Sequence, residues 1–371
     1  MKRALLQPSL SALLGLAIAA SASADKIYLS DGSIINDAQI LTEGVKTVSY
    51  IPDGKKKKSD AKEVASELVL SVEYTQMPED IAAAQVDADD EAFAAAVAGM
   101  EVYLENVSGK GDRKFPWAPA FARYRLVELY KLGGELPSMV TSADALVAEY
   151  PESRYVPLAM VEKIDALLGM GDVEQARGAI DALKAMVSSA GLPKRWEFEA
   201  DVRKILTNPT LKGEGLEKEL QSIVRAAAAF PTVSNFAAVA RAESLVARGE
   251  LAEAEKALRK VVGDQGALDR TLAAAYTALG ESLFRRAEAA ESRDEASAAF
   301  AEAQLAFMRV VVNYRFEYAY VAKSAFYAGR CFQEIGGEGS AAKSRKLFTY
   351  VQRRFKESRW ANEARAFNRR N

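Results

Sequence analysis

Apolar residues in most of this chain recur at the spacing of an α-helix. Phe93, Val97 and Met100 are four and three residues apart, and the same steps return in residues 173–183 and 251–261. Side chains at these intervals lie on one face of a helix. The pattern predicts a succession of amphipathic helices that each bury one apolar stripe.

Short glycine-containing segments interrupt the helical pattern. They occur at residues 131–134, 169–172, 248–250 and 335–337. Glycine near a helix end allows the left-handed backbone that reverses the chain. These segments therefore predict antiparallel helical hairpins, and we assign residues 78–371 to one helical repeat domain.

Two recurring phrases indicate that the hairpins are repeats. A turn glycine followed five residues later by alanine occurs in residues 171–176, 249–254 and 337–342. An aromatic residue followed by a Glu-Ser-Arg-aromatic ending occurs in residues 150–155 and 355–360. Repeats of this kind predict a helical solenoid, in which each pair of helices packs on the next.

The pattern resembles the tetratricopeptide repeat (TPR) family, whose helical pairs carry a small residue in the first helix, a turn glycine and a later alanine. With Gly249 as the turn glycine, Ala242 falls at the small position and Ala254 on the second helix. The resemblance covers residues 117–371 and implies a mainly α, TPR-like hairpin solenoid. It also implies a protein-binding scaffold without catalysis, because stacked pairs leave an extended concave surface for a partner.

The resemblance implies candidate partner-binding residues on that concave surface. Family positions that commonly face the groove correspond here to Asp165, Glu243, Arg330 and Gln333. The alternative for each is an ordinary solvated helix position. The phrase at residues 150–155 is similar to exported bacterial TPR proteins, including BamD-like outer-membrane assembly factors and the periplasmic TPR partner of the Tol-Pal system.

Residues 25–76 have a different pattern. Short β-branched and aromatic runs are separated by Asp-Gly turns at residues 31–32 and 53–54, which is typical of short antiparallel strands. We expect a small all-β SH3-like barrel domain that docks on the helices, because about 50 residues bury little core. Lys55–Lys58 are interpreted as a solvated hairpin tip, with an anion site as the alternative.

Residues 1–24 have the composition of a secretory signal peptide. A positive start precedes an apolar run and the small-residue motif Ala22-Ser23-Ala24. We predict export to the periplasm or medium, a mature chain that starts at Asp25, and no transmembrane segment within it. The single cysteine, Cys331, is far from the cleavage point, so no lipid anchor is expected.

Composition limits the chemistry open to this protein. The 371 residues include no histidine, which excludes Ser-His-Asp triads and His-ligated zinc. No phosphate-binding or dinucleotide-binding glycine motif is present, and the acidic residues 87–91 lack the ligand spacing of a calcium loop. We predict no catalytic residue, cofactor or metal. A formal net charge of -2 also argues against nucleic-acid binding.

Charge is distributed unevenly along the sequence. Residues 343–371 carry ten Lys or Arg and two Glu, whereas residues 78–101 carry seven acidic groups and no basic one. The basic end predicts contact with a protein partner of the cell envelope, with an anionic envelope polymer or with another copy of the chain; a solvated capping helix is the alternative. The candidate residues are Arg353, Arg354, Arg359, Arg365, Arg369 and Arg370.

Overall fold

A computed structural model of the protein describes residues 25–52, 55, 57–264, 267–356 and 358–370. The predicted signal peptide lies outside these residues, as does the second Asp-Gly turn. In the described part of the chain, five β-strands precede fifteen α-helices. The predicted change from β to α structure after the first 76 residues is thus confirmed.

The strands form one antiparallel sheet with the order β4-β3-β2-β1-β5. They are β1 (Asp25–Leu29), β2 (Ile34–Glu43), β3 (Thr47–Pro52), β4 (Lys62–Ala65) and β5 (Val69–Glu73). Among the described residues β4 and β5 do not pair, so the sheet is open and does not show the expected SH3-like closure. The helices cover the apolar face of the sheet, since Ile27 and Val48 lie in one core with Met100 of the helices. The sheet therefore buries its apolar face without closing into a barrel.

Short turns join the helices, and each helix packs on its neighbours in sequence. Gly134, Gly171 and Gly249 end their helices with φ of 77°, 81° and 84°, which confirms the predicted glycine turns. The helices are α1 (Glu79–Asp89), α2 (Phe93–Val107), α3 (Ala118–Gly133), α4 (Leu136–Glu149), α5 (Tyr155–Met170), α6 (Val173–Ala190), α7 (Lys194–Thr207), α8 (Gly213–Ala226), α9 (Pro231–Arg248), α10 (Leu251–Val262), α11 (Asp269–Glu288), α12 (Arg293–Asn313), α13 (Tyr318–Ile335), α14 (Ser340–Arg354) and α15 (Arg359–Arg370).

The apolar core is divided into clusters along the chain. One extends from Ile27 of the sheet to Ala200 of α7, and another from Val239 of α9 to Cys331 of α13. A smaller cluster joins α7, α8 and α9 between them. Stabilisation by contacts between neighbouring units is typical of a solenoid. The chain therefore folds as an array of helical hairpins.

The sheet is attached to the array through the loop that precedes α5. The Gly44 backbone forms a β-bridge with Ser153, and the Val45 amide donates to the Glu152 carbonyl over 2.7 Å. The Glu-Ser-Arg phrase at residues 152–154, which the sequence marks as a hairpin end, therefore also carries a backbone attachment site for the sheet.

A buried ion pair reinforces this attachment. The Arg154 Nε donates to a Glu43 carboxylate oxygen over 2.6 Å, and both side chains are almost completely buried. The hydroxyls of Tyr74 and Tyr155 also donate to Glu43, and the Tyr74 ring stacks on Trp117 with ring centroids 3.4 Å apart. Trp117 at the start of α3 therefore packs on the sheet, and sheet and helices form one continuous core.

Candidate interaction surfaces

The first helices of successive hairpins place charged side chains on a common inner face. Arg203 of α7 donates to Asp165 of α5 over 2.6 Å and 3.0 Å, and to Glu199 over 2.6 Å. Arg270 of α11 pairs with the same Asp165 carboxylate. Asp165, a predicted groove residue, is therefore held by two arginines of its own chain.

The charges on this inner face remain ionised. Burial alone would raise the pKa of the Asp165 carboxyl, but Arg203 and Arg270 outweigh that effect and lower it. The same carboxylate helps to raise the pKa of both arginines, against the opposing effect of their burial. Each charge is compensated by another, which is the condition under which ionised groups are tolerated inside a protein.

Contacts between remote helices bring the beginning and the end of the array together. Lys131 of α3 lies 3.6 Å from Glu317, just before α13, and Glu91 after α1 lies 2.6 Å from Arg315 after α12. Residues far apart in the sequence thus meet because the array curves back on itself. The closure contacts, as we name this set, are Glu91–Arg315, Phe93–Phe316, Lys131–Glu317 and Asp165–Arg270.

Glu243 of α9, the second predicted groove residue, has a different environment. It makes no ion pair within 4.0 Å to any described residue. Its side chain has an exposed surface, but the protein atoms around it partly desolvate the carboxyl group. This burial raises the pKa of Glu243 to about 7, with Lys323 opposing the rise and Glu281 adding to it. Glu243 is therefore partly protonated near neutral pH.

We expect Glu243→Gln to stabilise the protein at pH 8 and to change its stability little at pH 5. A carboxyl whose folded pKa lies above its unfolded pKa loses stability as the pH rises through the folded value. Glutamine removes that loss, which is on the order of 1 kcal/mol because solvent screens an exposed group. Urea unfolding of the variant and the wild-type protein at the two pH values measures this difference in the free energy of unfolding. Glu219→Gln on the exposed face of α8 is the control, and equal effects of Glu243→Gln at both pH values would contradict the assignment.

Arg330 and Gln333 of α13 complete the predicted groove residues. The Arg330 guanidinium lies 4.6 Å from the ring centre of Phe284 and 5.2 Å from that of Phe367, and it pairs with Glu288 over 3.3 Å. Because Phe367 belongs to α15 and Phe284 to α11, Arg330 ties the last helix to the array. Gln333 is half-buried close by.

The cations of the last two helices differ from those of the inner face because no described carboxylate pairs with them. Among the residues that the structure describes, no ion pair within 4.0 Å involves a cation of this segment, and all of these cations are exposed. We call them the basic surface, which consists of Lys343, Arg345, Lys346, Arg353, Arg354, Lys356, Arg359 and Arg365. The side chains of Arg369 and Arg370, also predicted as contacts, lie outside the described residues.

The basic surface is held by helix geometry and by aromatic rings. Lys343, Lys346 and Arg353 lie on the side of α14 away from buried Phe348, because three- and seven-residue steps return to one helical face. The Arg359 guanidinium lies 4.1 Å above the Trp360 ring centre. Four of the predicted contact residues, Arg353, Arg354, Arg359 and Arg365, thus lie exposed on the last two helices.

The inner-face charges other than Asp165, Glu243 and Arg330 were not predicted from the sequence. Glu199 and Arg203 occupy the buried face of α7 beside Trp196 and Ala200. Charged residues within an apolar stripe at an interval of four were the available signal. The contacts of Arg203 and Arg270 with Asp165 of α5 depend on the curvature of the array. The local sequence pattern does not predict them.

No protein family and no curated protein matches the chain. Among solved structures, it is similar to a tetratricopeptide repeat protein from Parabacteroides merdae ATCC 43184, with 9% identity over 77% of this chain and 96% of that one, at a TM-score of 0.42. It is similar to yeast Tom70 with 9% identity over 77% of this chain and 67% of that one, at a TM-score of 0.23.

The helices and strands themselves define the class of protein, which is a helical-hairpin array that begins with an antiparallel sheet. Within the described residues, no helix has the length and apolar character needed to cross a membrane.

Proposed function

We propose that this protein is a non-enzymatic interaction scaffold of the bacterial cell envelope, and that its basic surface contacts the partner. One observation carries the proposal: eight exposed cations at one end of the array have no carboxylate of the described residues within ion-pairing distance. Cations of the inner face are neutralised by neighbouring carboxylates instead. An unneutralised surface retains its electrostatic field, which steers and orients an anionic partner.

The inner face is the other candidate contact surface, since the TPR-like resemblance places partner contacts there. Asp165 and Arg330 make contacts within the chain that a partner would have to displace. Glu243 is exposed and unpaired among the described residues, so it is the inner-face position best placed for contact. Because Asp165 and Arg330 are already occupied by contacts within the chain, the basic surface is favoured over the inner face as the first point of contact.

Binding rather than catalysis is supported by the side chains present. The chain has no histidine, and the inner-face carboxylates Asp165, Glu162 and Glu281 are each paired with a cation. A role in the cell envelope is supported by the signal-peptide pattern of residues 1–24 and by the resemblance to exported TPR proteins.

Charge reversal at the basic surface tests the proposal. We expect Arg353→Glu, Arg354→Glu, Arg359→Glu and Arg365→Glu together to abolish in-cell crosslinking to a discrete set of partners and to weaken binding of the purified partner roughly tenfold or more. Circular dichroism must show that the variant is folded. The control reverses four exposed cations outside the basic surface, at Lys218, Lys256, Lys260 and Arg293. Equal capture by both variants would refute the assignment.

A module that binds an anionic envelope polymer is the second candidate. It is favoured by the spread of the cations over the open face of α14, which suits an extended anionic surface. Capture of no discrete protein, together with polymer retention that is lost at high salt, would replace the scaffold by this second function.

A further inference from the structure

The closure contacts are of a different kind from the contacts that hold each hairpin. The apolar cluster from Ile27 to Ala200 and the one from Val239 to Cys331 have no residue in common. The closure contacts join these two parts of the array through three ion pairs and one aromatic pair. The interface that closes the array is therefore mainly polar, whereas the hairpins are held by apolar burial.

The ion pairs of this interface are accessible to water and salt in different degrees. The side chains of Arg315 and Glu91 are 55% and 46% exposed, and those of Lys131 and Glu317 are 25% and 16% exposed. Exposed ion pairs contribute little to stability, and dissolved salt screens them. In the aromatic pair, the rings of Phe93 and Phe316 meet edge to face with centroids 5.9 Å apart.

Loss of the closure contacts leaves the packing of each hairpin in place. A solenoid is stabilised by contacts between neighbouring units, so a contact between remote units can break without unfolding the rest. The acidic corner at Glu91 also meets Arg315 within one chain. One charge of the acidic segment 78–101 is thus used in closing a single copy, and its partner Arg315 lies outside the basic end at residues 343–371.

We propose that the closure contacts form a salt-sensitive latch, and that the array opens and closes about them while its hairpins stay folded. In the closed form, Arg270 covers Asp165 and Glu162, with which it pairs across the inner face. In the open form these carboxylates lose Arg270 but keep Arg203 and Lys131 as partners, and the part of α5 that Arg270 covers becomes accessible. The latch therefore controls access of a partner to the inner face, independently of the contact assigned to the basic surface.

Spin labels on both sides of the latch test this proposal in the full chain. Asp90→Cys and Val312→Cys place labels at exposed positions next to Glu91 and Arg315. Native Cys331 is buried and its pKa is raised to about 12 by burial, so it does not react with the label. We expect one short interspin distance at about 0.05 M NaCl and a second, longer distance at about 1 M NaCl.

Removal of one latch pair should act in the same direction as salt. Lys131→Gln with Glu317→Gln leaves no unpaired charge of that pair and should raise the open fraction roughly fivefold at low salt. The control is Arg259→Gln with Glu302→Gln, which deletes an ion pair between α10 and α12 outside the closure contacts. It should leave the distance distribution unchanged.

Two results would overturn the latch. A single short distance in the latch-pair variant and at high salt, with normal helix content, would show that closure is rigid. A longer distance that appears only together with loss of helical circular dichroism would show that closure is part of folding. Neither result bears on partner capture by the basic surface, so the two proposals fail separately.

Discussion

Replacing Arg154 with alanine is expected to lower the free energy of unfolding by about 3 to 5 kcal/mol. Arg154 and Glu43 are 6% and 8% exposed, and their side chains are joined by a 2.6 Å hydrogen bond. Removal of the guanidinium leaves the Glu43 carboxylate buried with only tyrosine hydroxyls as donors. Urea unfolding followed by circular dichroism measures the loss.

The double replacement Glu43→Gln with Arg154→Met separates the lost attraction from the cost of an unpaired buried charge. We expect it to recover most of the stability lost in Arg154→Ala, because neither charge then remains and methionine restores apolar volume. A double variant as unstable as the single one would show that the pair itself, and not an uncompensated Glu43, determines how firmly the sheet is attached.

Alanine at Gly280 or Gly329 is expected to destabilise the protein by about 1 to 3 kcal/mol. A Cβ atom at Gly280 would lie 2.7 Å from the Phe307 ring, and one at Gly329 would lie 2.6 Å from the Phe348 ring. Both rings are fully buried, so they have little room to move. The strain exceeds the gain of about 1 kcal/mol that alanine gives in a helix interior.

Gly178→Ala is the matched control for these two variants. Gly178 also lies inside a helix, α6, but a Cβ atom there would meet nothing within 4 Å. We expect this replacement to stabilise the protein by up to about 1 kcal/mol through helix propensity alone. The melting temperatures of the three variants, measured by thermal unfolding, are compared with that of the wild-type protein. A rise in melting temperature for all three variants would refute the close helix packing at Gly280 and Gly329.

Much of the fold was predictable because it is encoded locally. The stripe that contains Val97 and Met100 does form α2, and the turn glycines at 171 and 249 do end helices. Helix periodicity and left-handed glycine turns depend on residues within a few positions of one another. The same local rule gave the antiparallel strands around the Gly32 turn.

The candidate surfaces were predicted only in part, because the positions of charges follow from the local sequence and their partners do not. The excess of cations in the last two helices is visible in the sequence, and exposure of Arg353 and Arg359 follows from their place outside the apolar stripe. That no described carboxylate pairs with them is not visible in the sequence. It depends on which helices lie nearby, as does the pairing that occupies Asp165.

Local sequence specifies where helices and strands form, which stripe of each is buried and where charge accumulates, since these properties arise from neighbours along the chain. Three features depend instead on the three-dimensional arrangement: Glu43 meets Arg154, the sheet stays open against the helices, and Lys131 reaches Glu317. These contacts follow from rotations between successive hairpins, each small on its own. Their sum sets the curvature of the array, which no local pattern specifies.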